Sequence, residues 1–220
     1  MNIIGFDFSI NKPAACILSN NSYNFISWPY GISDKIVQTY RDAGVNIIDR
    51  IDNKDKGKNI TDKMRYEIEN SRYIAILIRE SIESYLNNTT YIVFEGFSYA
   101  SSGDVVIQLG GYKYILMNEL AKYVPIENMF TYSPITLKST AECAKRGMDK
   151  SDMINKFILD GPDCILRNTL LNNPDIFKTP KSKKWIIHMD DLIDSYWAIE
   201  TLRKKEDICL TQFKSAGFTL

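Results

Sequence analysis

Histidine and cysteine, the side chains that most often hold zinc in proteins, are scarce in this chain. Its 220 residues include one histidine and four cysteines. The cysteines lack the Cys-x-x-Cys spacing that is typical of zinc sites, and they form no recognisable disulfide framework. The sequence therefore predicts buried free thiols at Cys16, Cys143, Cys164 and Cys209.

Long hydrophobic runs are also absent. No apolar stretch approaches the roughly 18 residues of a membrane helix. Asp7 and Asn11 interrupt the apolar run nearest the N-terminus, which therefore does not resemble a signal peptide. We expect a cytoplasmic protein that contacts no membrane, in the host cytoplasm if its source is viral.

The chain carries no net charge, because 27 acidic residues balance 27 basic ones. A nucleic-acid partner would have to be attracted by local basic patches, since the whole molecule supplies no attracting field. The length is within the range of one domain, and a hydrophobic content of 45% is enough for a substantial core.

Two apolar, β-forming runs are each associated with an acid. Ile3–Phe8 shows no polar alternation, which predicts a strand buried on both faces, yet Asp7 lies within it. A carboxylate in such a strand is costly unless it is hydrogen-bonded or belongs to a charged site. Tyr91–Phe94 repeats the pattern and is followed by Glu95.

The segments between these runs predict how the two strands meet. Ala14–Leu18 and Tyr23–Trp28 read as the second and third strands of an antiparallel meander. Apolar residues three, four or seven apart over Asp62–Leu86 predict a long amphipathic helix. A right-handed crossover through this helix would place the second acid-bearing strand parallel to the first. At a strand spacing of roughly 5 Å, Asp7 and Glu95 could then share a cation.

A third acidic motif lies in the helix predicted after His188. Asp191 and Asp194 are three residues apart and share a helix face, which small side chains flank. Like charges at this distance repel, and a divalent metal is the commonest compensation. Asp190 competes with Asp191 for the ligand role, and we expect it to be the more exposed of the two. His188 lies three residues before Asp191 and could support its carboxylate, but we expect it to be exposed at the start of the helix.

The rest of the chain alternates helices with one further strand. Partly helical structure is predicted over Val45–Ile51, and a helix over Asp104–Lys122 with Gly110 and Gly111 at its centre. A fifth strand is predicted over Met129–Tyr132, followed by helices over Pro134–Lys145 and from Asp149 or Ser151 to Ile158. The segment Gly161–Ser182 is predicted to be loop-rich.

The order of these motifs resembles a known family. IIGFDFS, YIVFEGF and DDLIDSYW follow one another as in the RuvC-like Holliday junction resolvases of the ribonuclease H-like superfamily, in a phage or viral form. LGGYKYIL and SPITLKSTAECAKRGMDKSDM resemble two further segments of the family. The resemblance implies one α/β ribonuclease H-like domain over residues 1–220, with a five-stranded mixed sheet flanked by helices. An insertion at about 31–59 and a tail at about 205–220 lie outside its motifs.

The resemblance also implies site residues. Asp7, Glu95, Asp191 and Asp194 match the metal-binding acids, and Lys150 joins them as a catalytic residue. The aromatic that stacks on an unpaired base corresponds to Phe97 or Tyr99, which bracket Ser98 at the expected place. The implied DNA-binding residues are Lys138, Lys145, Arg146, Lys150, Phe97, Tyr99, Lys181, Lys183 and Lys184.

The implied activity is paired nicking of four-way DNA junctions by a homodimer. Two Mg²⁺ ions per site, for which Mn²⁺ can substitute, would act on the attacking water and the leaving oxygen. Two alternatives stay open: a nuclease of the same fold that cuts flaps, forks or other branched DNA, and a DNA-binding module without catalysis. An actin-like ATPase also opens with Gly-x-Asp, but it needs a second related domain for which this chain has no room.

Overall fold

The computed structural model describes residues 1–51, 58–97 and 103–206. Within these ranges helices surround one mixed sheet. The strands are β1 (Asn2–Asp7), β2 (Ala14–Ser19), β3 (Ser22–Ser27), β4 (Val45–Ile47), β5 (Tyr91–Glu95) and β6 (Met129–Tyr132). The helices are α1 (Asp34–Asp42), α2 (Ile60–Ile82), α3 (Asp104–Leu120), α4 (Pro134–Thr140), α5 (Lys150–Asp160), α6 (Ile165–Asn172) and α7 (Met189–Lys205).

The sheet has the order β4-β3-β2-β1-β5-β6. β1, β2 and β3 form the predicted antiparallel meander. β5 pairs in parallel with β1, with Phe6 opposite Phe94, and β6 continues the parallel part. The expected neighbourhood of the two acid-bearing strands is therefore confirmed.

The strand count differs from the prediction. The described part of the chain has six strands in its sheet rather than five, because Val45–Ile47 pairs in parallel with β3. Partly helical structure was therefore the wrong interpretation of these three residues. Their side chains alternate between buried and exposed, but a run this short carries too little periodicity to distinguish strand from helix.

One helix prediction and one loop prediction also need correction. α4 ends at Thr140 rather than near Lys145. The segment predicted to be loop-rich contains α6 and a 3₁₀ helix over Pro174–Phe177. Leu166 and Leu170 of α6 are buried, so tertiary packing stabilises a helix that is too short to show a strong pattern among its neighbouring prolines.

The pleat of the sheet divides the core into two layers. Ile3 faces the layer that contains α7, whereas Ile4 and Phe6 face the layer that contains α2 and α3. Because side chains alternate along a strand, Asp7 belongs to the same face as Ile3. The same parity places Glu95 with Val93 on the α7 side.

The cysteines and the helix lengths also bear on the sequence predictions. Cys16, Cys143 and Cys164 are free and buried, as predicted, and Cys209 lies outside the described residues. None of the helices in the described ranges has the length and apolar character needed to cross a membrane.

Candidate metal centre

Three carboxylates from three separate elements meet at one edge of the sheet. Asp7 ends β1, Glu95 ends β5, and Asp194 lies in the second turn of α7. One oxygen of each lies within 4.8 Å of the others. Asp7 and Glu95 are half-buried, and Asp194 is only 3% exposed.

A glycine lets α7 approach the sheet closely enough for this meeting. A Cβ atom at Gly5 would lie 2.1 Å from the carbonyl oxygen of Ser195 and 2.9 Å from Cγ1 of Ile199. Ser195 and Ala198, the small residues on the approaching face, are fully buried. The close packing of α7 on β1 therefore carries Asp194 to the end of the strand that bears Asp7.

Burial opposes the ionisation of all three carboxylates. Burial raises the pKa of Asp7 well above its ordinary value, and the charges of Glu95, Asp191 and Asp194 raise it further. Burial also raises the pKa of Glu95. Burial and then the charge of Glu95 raise the pKa of Asp194 to about 7. Such a group of carboxylates favours a bound cation, because a cation would compensate both the desolvation and the mutual repulsion.

Asp191 lies beside this group without joining it. Its Oδ2 is 2.8 Å from Nδ1 of His188, and its side chain is 14% exposed. Burial raises the pKa of Asp191, but the hydrogen bond and charge of His188, together with the charges of Lys150 and Lys12, outweigh burial and leave the pKa below its ordinary value. The prediction that His188 is exposed was wrong, because its side chain is fully buried.

Asp190 is more exposed than Asp191, as expected. Its side chain is 35% exposed, against 14% for that of Asp191. Asp190 accepts a hydrogen bond of 2.8 Å from Nζ of Lys150, and Nζ also lies 3.4 Å from Asp194. Lys150 therefore supplies positive charge directly to the acidic group.

A cavity of about 380 Å³ opens over the carboxylates. Lys138 of α4 and Lys150 of α5 line it together with the half-buried side chain of Phe97. These three predicted DNA-contacting residues therefore surround the same space as the four acids, which also line the cavity.

The other predicted DNA-contacting residues lie elsewhere. Lys145 and Arg146 are exposed in the turn between α4 and α5, outside the cavity lining. Lys181, Lys183 and Lys184 are exposed in the turn closed by the bridge between Lys178 and Trp185, also outside the cavity. Tyr99 lies outside the described residues.

Lys113 is a cavity residue that sequence reasoning missed. It is 3% exposed, and its Nζ donates a hydrogen bond of 2.6 Å to the carbonyl oxygen of Glu95. Nζ also lies 4.7 Å from the ring centre of Phe97. Burial lowers the pKa of Lys113 to about 8. The available signal was its place on the buried stripe of α3, four residues after Leu109 and three before Leu116.

The donor set suits a hard divalent cation. Carboxylate oxygens are the ligands that Mg²⁺ and Mn²⁺ prefer, whereas zinc sites favour thiolates and imidazoles. The described carboxylates Asp7, Glu95 and Asp194 could hold such an ion, with Asp191 close by.

The fold is ribonuclease H-like and similar to that of RuvC, as comparison with solved structures shows. The structure of Thermus thermophilus RuvC matches with a TM-score of 0.53 and 10% identity over 94% of this chain and 97% of that one. A second match is T. thermophilus RuvC in complex with a Holliday junction substrate, with a TM-score of 0.49 and 9% identity over 93% and 95% of the two chains. No protein-family model and no curated protein matches the sequence. The fold expected from the motifs is thus confirmed, apart from the number of strands.

Proposed function

We propose that this protein is a divalent-metal-dependent crossover junction endodeoxyribonuclease that resolves four-way DNA junctions by paired nicks. The observation that carries the proposal is the meeting of Asp7, Glu95 and Asp194, which come from β1, β5 and α7, within 4.8 Å. The RuvC-like fold and the order of the acidic motifs support the same activity. We propose further that residues 1–220 act as one nuclease domain in the cytoplasm, with the insertion at about 31–59 contributing β4.

Each acid has a proposed role in holding metal. Asp7 is the central ligand, because it interacts electrostatically with Glu95, Asp191 and Asp194. Glu95 completes the site on the β5 side, and Asp194 with Asp191 completes it on the α7 side. Two Mg²⁺ ions, or Mn²⁺ in their place, would supply the Lewis acidity that activates water and stabilises the leaving oxygen in phosphodiester hydrolysis.

The cavity lysines have proposed roles toward the phosphate. Lys150 neutralises charge that develops on the reacting phosphate, since its Nζ already lies 3.4 Å from Asp194. Lys138 holds the DNA backbone from the α4 side of the cavity. Phe97 stacks on a base at the opened centre of the junction, because its ring lines the same cavity.

Basic residues outside the cavity would contact the duplex arms. Lys145 and Arg146 lie in the turn between the helices that bear Lys138 and Lys150, so they extend the same basic region outward. The exposed lysines 181, 183 and 184 form a second patch on their turn. Contacts of this kind bind phosphates without regard to sequence and weaken with salt.

We propose that two copies act together, because resolving a junction requires two symmetric nicks. The outward face of α3 is the proposed interface. Ile107 is 75% exposed and Tyr114 is 65% exposed on this face. Gly111 lies between them, and a Cβ there would meet no atom within 4 Å, so the face leaves room for close helix contact.

The test is a cleavage assay on a panel of substrates. The purified chain is given end-labelled four-way, flap, fork and linear duplex DNA, each with Mg²⁺ and with EDTA. We expect symmetric nicks in two strands of the four-way junction, in Mg²⁺ alone. Asp7→Asn should bind the junction without cutting it.

Each other outcome rejects the proposal in a defined way. Faster cutting of flaps or forks would assign the fold a different branched substrate. Binding without cleavage by the unaltered protein would indicate a non-catalytic module. Cleavage by Asp7→Asn would show that the acidic residues are not the metal ligands that catalysis requires.

A further inference from the structure

His188 is the one histidine of the chain, and it is fully buried at the start of α7. Its Nε2 hydrogen-bonds to Oγ of Ser27 at the end of β3, and its Nδ1 lies 2.8 Å from Oδ2 of Asp191. The imidazole thus connects the sheet to a carboxylate of the acidic cavity. The contacts follow the order serine, histidine, aspartate.

This order does not make a hydrolase triad. Ser27 is fully buried, and its hydroxyl donates a hydrogen bond of 2.9 Å to the carbonyl oxygen of Pro13. Since a hydroxyl has one hydrogen, Oγ of Ser27 accepts from Nε2 of His188 when it donates to Pro13. Ser27 therefore anchors the ring and, being fully buried, offers no exposed nucleophile, while Nδ1 pairs with Asp191 on the other side.

The backbone around His188 is held as firmly as its ring. The residue has a φ of 83°, in the left-handed region that few non-glycine residues adopt. Tyr40 donates a hydrogen bond of 2.9 Å to the carbonyl oxygen of Ile187, and its ring stands edge-on to the imidazole. A strained residue persists only where its surroundings over-determine it, and such residues cluster at functional sites.

We propose that His188 is a positioning residue that fixes the carboxylate of Asp191 with Oδ2 engaged and the other oxygen available to a metal. The proposal rests on the proposed function. It accounts for the place of Asp191, which lines the cavity but stands outside the group of three converging carboxylates. Residues that orient metal ligands in this way are typically important to metal affinity.

The direct test is a spectroscopic one on the unaltered protein. Because the chain has one histidine, protein labelled with ¹⁵N-histidine gives signals from this ring alone. We expect the Nδ1 signal to shift as Mg²⁺ is added, over the concentrations that activate cleavage. In Asp7→Asn, whose metal site is disrupted, the signal should stay in place.

Matched variants separate the ring's hydrogen bond from its volume and backbone. His188→Gly accepts the positive φ but lacks a donor, whereas His188→Asn tolerates this φ and keeps a side-chain donor near the position of Nδ1. We expect His188→Gly to weaken Mn²⁺ binding in calorimetry by about 10- to 100-fold, and His188→Asn to recover most of the loss. In the Asp191→Asn background, His188→Gly should change the affinity by less than about twofold, because its partner is already altered.

The outcomes distinguish the two proposals. If the unaltered protein cleaves junctions with Mg²⁺ while the Nδ1 signal does not move, the positioning role is wrong and the nuclease function stands. Full loss of Mn²⁺ affinity in both His188→Gly and His188→Asn, or a loss that persists in the Asp191→Asn background, also rejects the positioning role. Absence of both metal binding and cleavage in the unaltered protein rejects the proposed function and this proposal with it.

Discussion

Asp7 lies within range of the charges of Glu95, Asp191 and Asp194, and Lys150 offsets them in part. A residue in this position is a cost to the metal-free fold, because burial and like charges both oppose its ionised form. The same crowding becomes favourable when a cation is present. Function and stability therefore make opposite demands on this side chain.

Replacing Asp7 should separate these demands. In EDTA at pH 8, we expect Asp7→Asn to melt no lower than the unaltered protein and up to about 4 °C higher, since a repulsive charge is removed. Differential scanning calorimetry measures the change. Asp175→Asn, at an exposed position in a 3₁₀ helix, serves as the control and should leave Tm unaltered. A fall of several degrees in Asp7→Asn would indicate a structural carboxylate.

The raised pKa of Asp194 predicts how metal-free stability depends on pH. Because the pKa is about 7 in the folded protein, above the ordinary value of 3.8, the folded state binds the proton more tightly than the unfolded state. This contribution is fully present at acidic pH and is lost as pH rises from about 4 to about 7. We expect Tm in EDTA to fall over this range by at least about 2 °C more than in Asp194→Asn. Equal pH profiles for the two proteins would contradict the shift.

At the scale of elements, the site depends on how closely α7 lies on β1. Gly5 provides that approach, because any larger residue would meet the backbone of Ser195. Gly111 on α3 offers the opposite situation, with open space where a side chain would begin. The two glycines therefore form a matched pair for mutagenesis.

Alanine substitutions at these glycines should have opposite effects. We expect Gly5→Ala to destabilise the protein by about 1–3 kcal/mol or more and to weaken Mn²⁺ binding, because α7 must move away from Asp7. Gly111→Ala, made in the Ile107→Lys, Tyr114→Lys background so that the proposed interface is absent, should stabilise α3 by up to about 1 kcal/mol, since alanine favours the helix. Thermal denaturation and calorimetry measure the two effects. If Gly5→Ala is as stable and binds Mn²⁺ as well as the unaltered protein, the close approach is not required.

The elements that sequence reasoning predicted are those with strong local patterns. The acid-bearing strands β1 and β5 and the long helix α2 have many apolar residues at a regular period, and their mutual arrangement follows from the handedness of crossovers. β4 and α6 were missed because three and eight residues carry little periodicity, and tertiary packing decides their structure.

Among the site residues too, those with a strong local signal were predicted and those that depend on tertiary contacts were missed. Acids at strand ends can be recognised from sequence, because a charge within an apolar run is conspicuous. The burial of His188 depends on Ser27 and Tyr40, which are far from it in the chain and come near only through the fold. Lys113 carried a weaker signal, a single charge in an otherwise apolar helix stripe.

At the scale of the whole molecule, the proposed activity requires two copies. In light scattering at micromolar concentration we expect a dimer. The double variant Ile107→Lys, Tyr114→Lys should be a monomer, because two charges would enter the proposed interface on each copy. Ile176→Lys, at a residue 52% exposed elsewhere on the surface, is the control. A monomeric unaltered protein would count against the dimer.

The central claim is that separate parts of the chain build one carboxylate site whose bound metal enables DNA cleavage. Calorimetric titration of Mn²⁺ into the unaltered protein, Asp7→Asn and Asp175→Asn, with junction cleavage assayed on the same samples, tests it most directly. We expect the unaltered protein and Asp175→Asn to bind Mn²⁺ and to cut the junction, whereas Asp7→Asn should lose both properties together. Mn²⁺ binding or cleavage that survives in Asp7→Asn would contradict it.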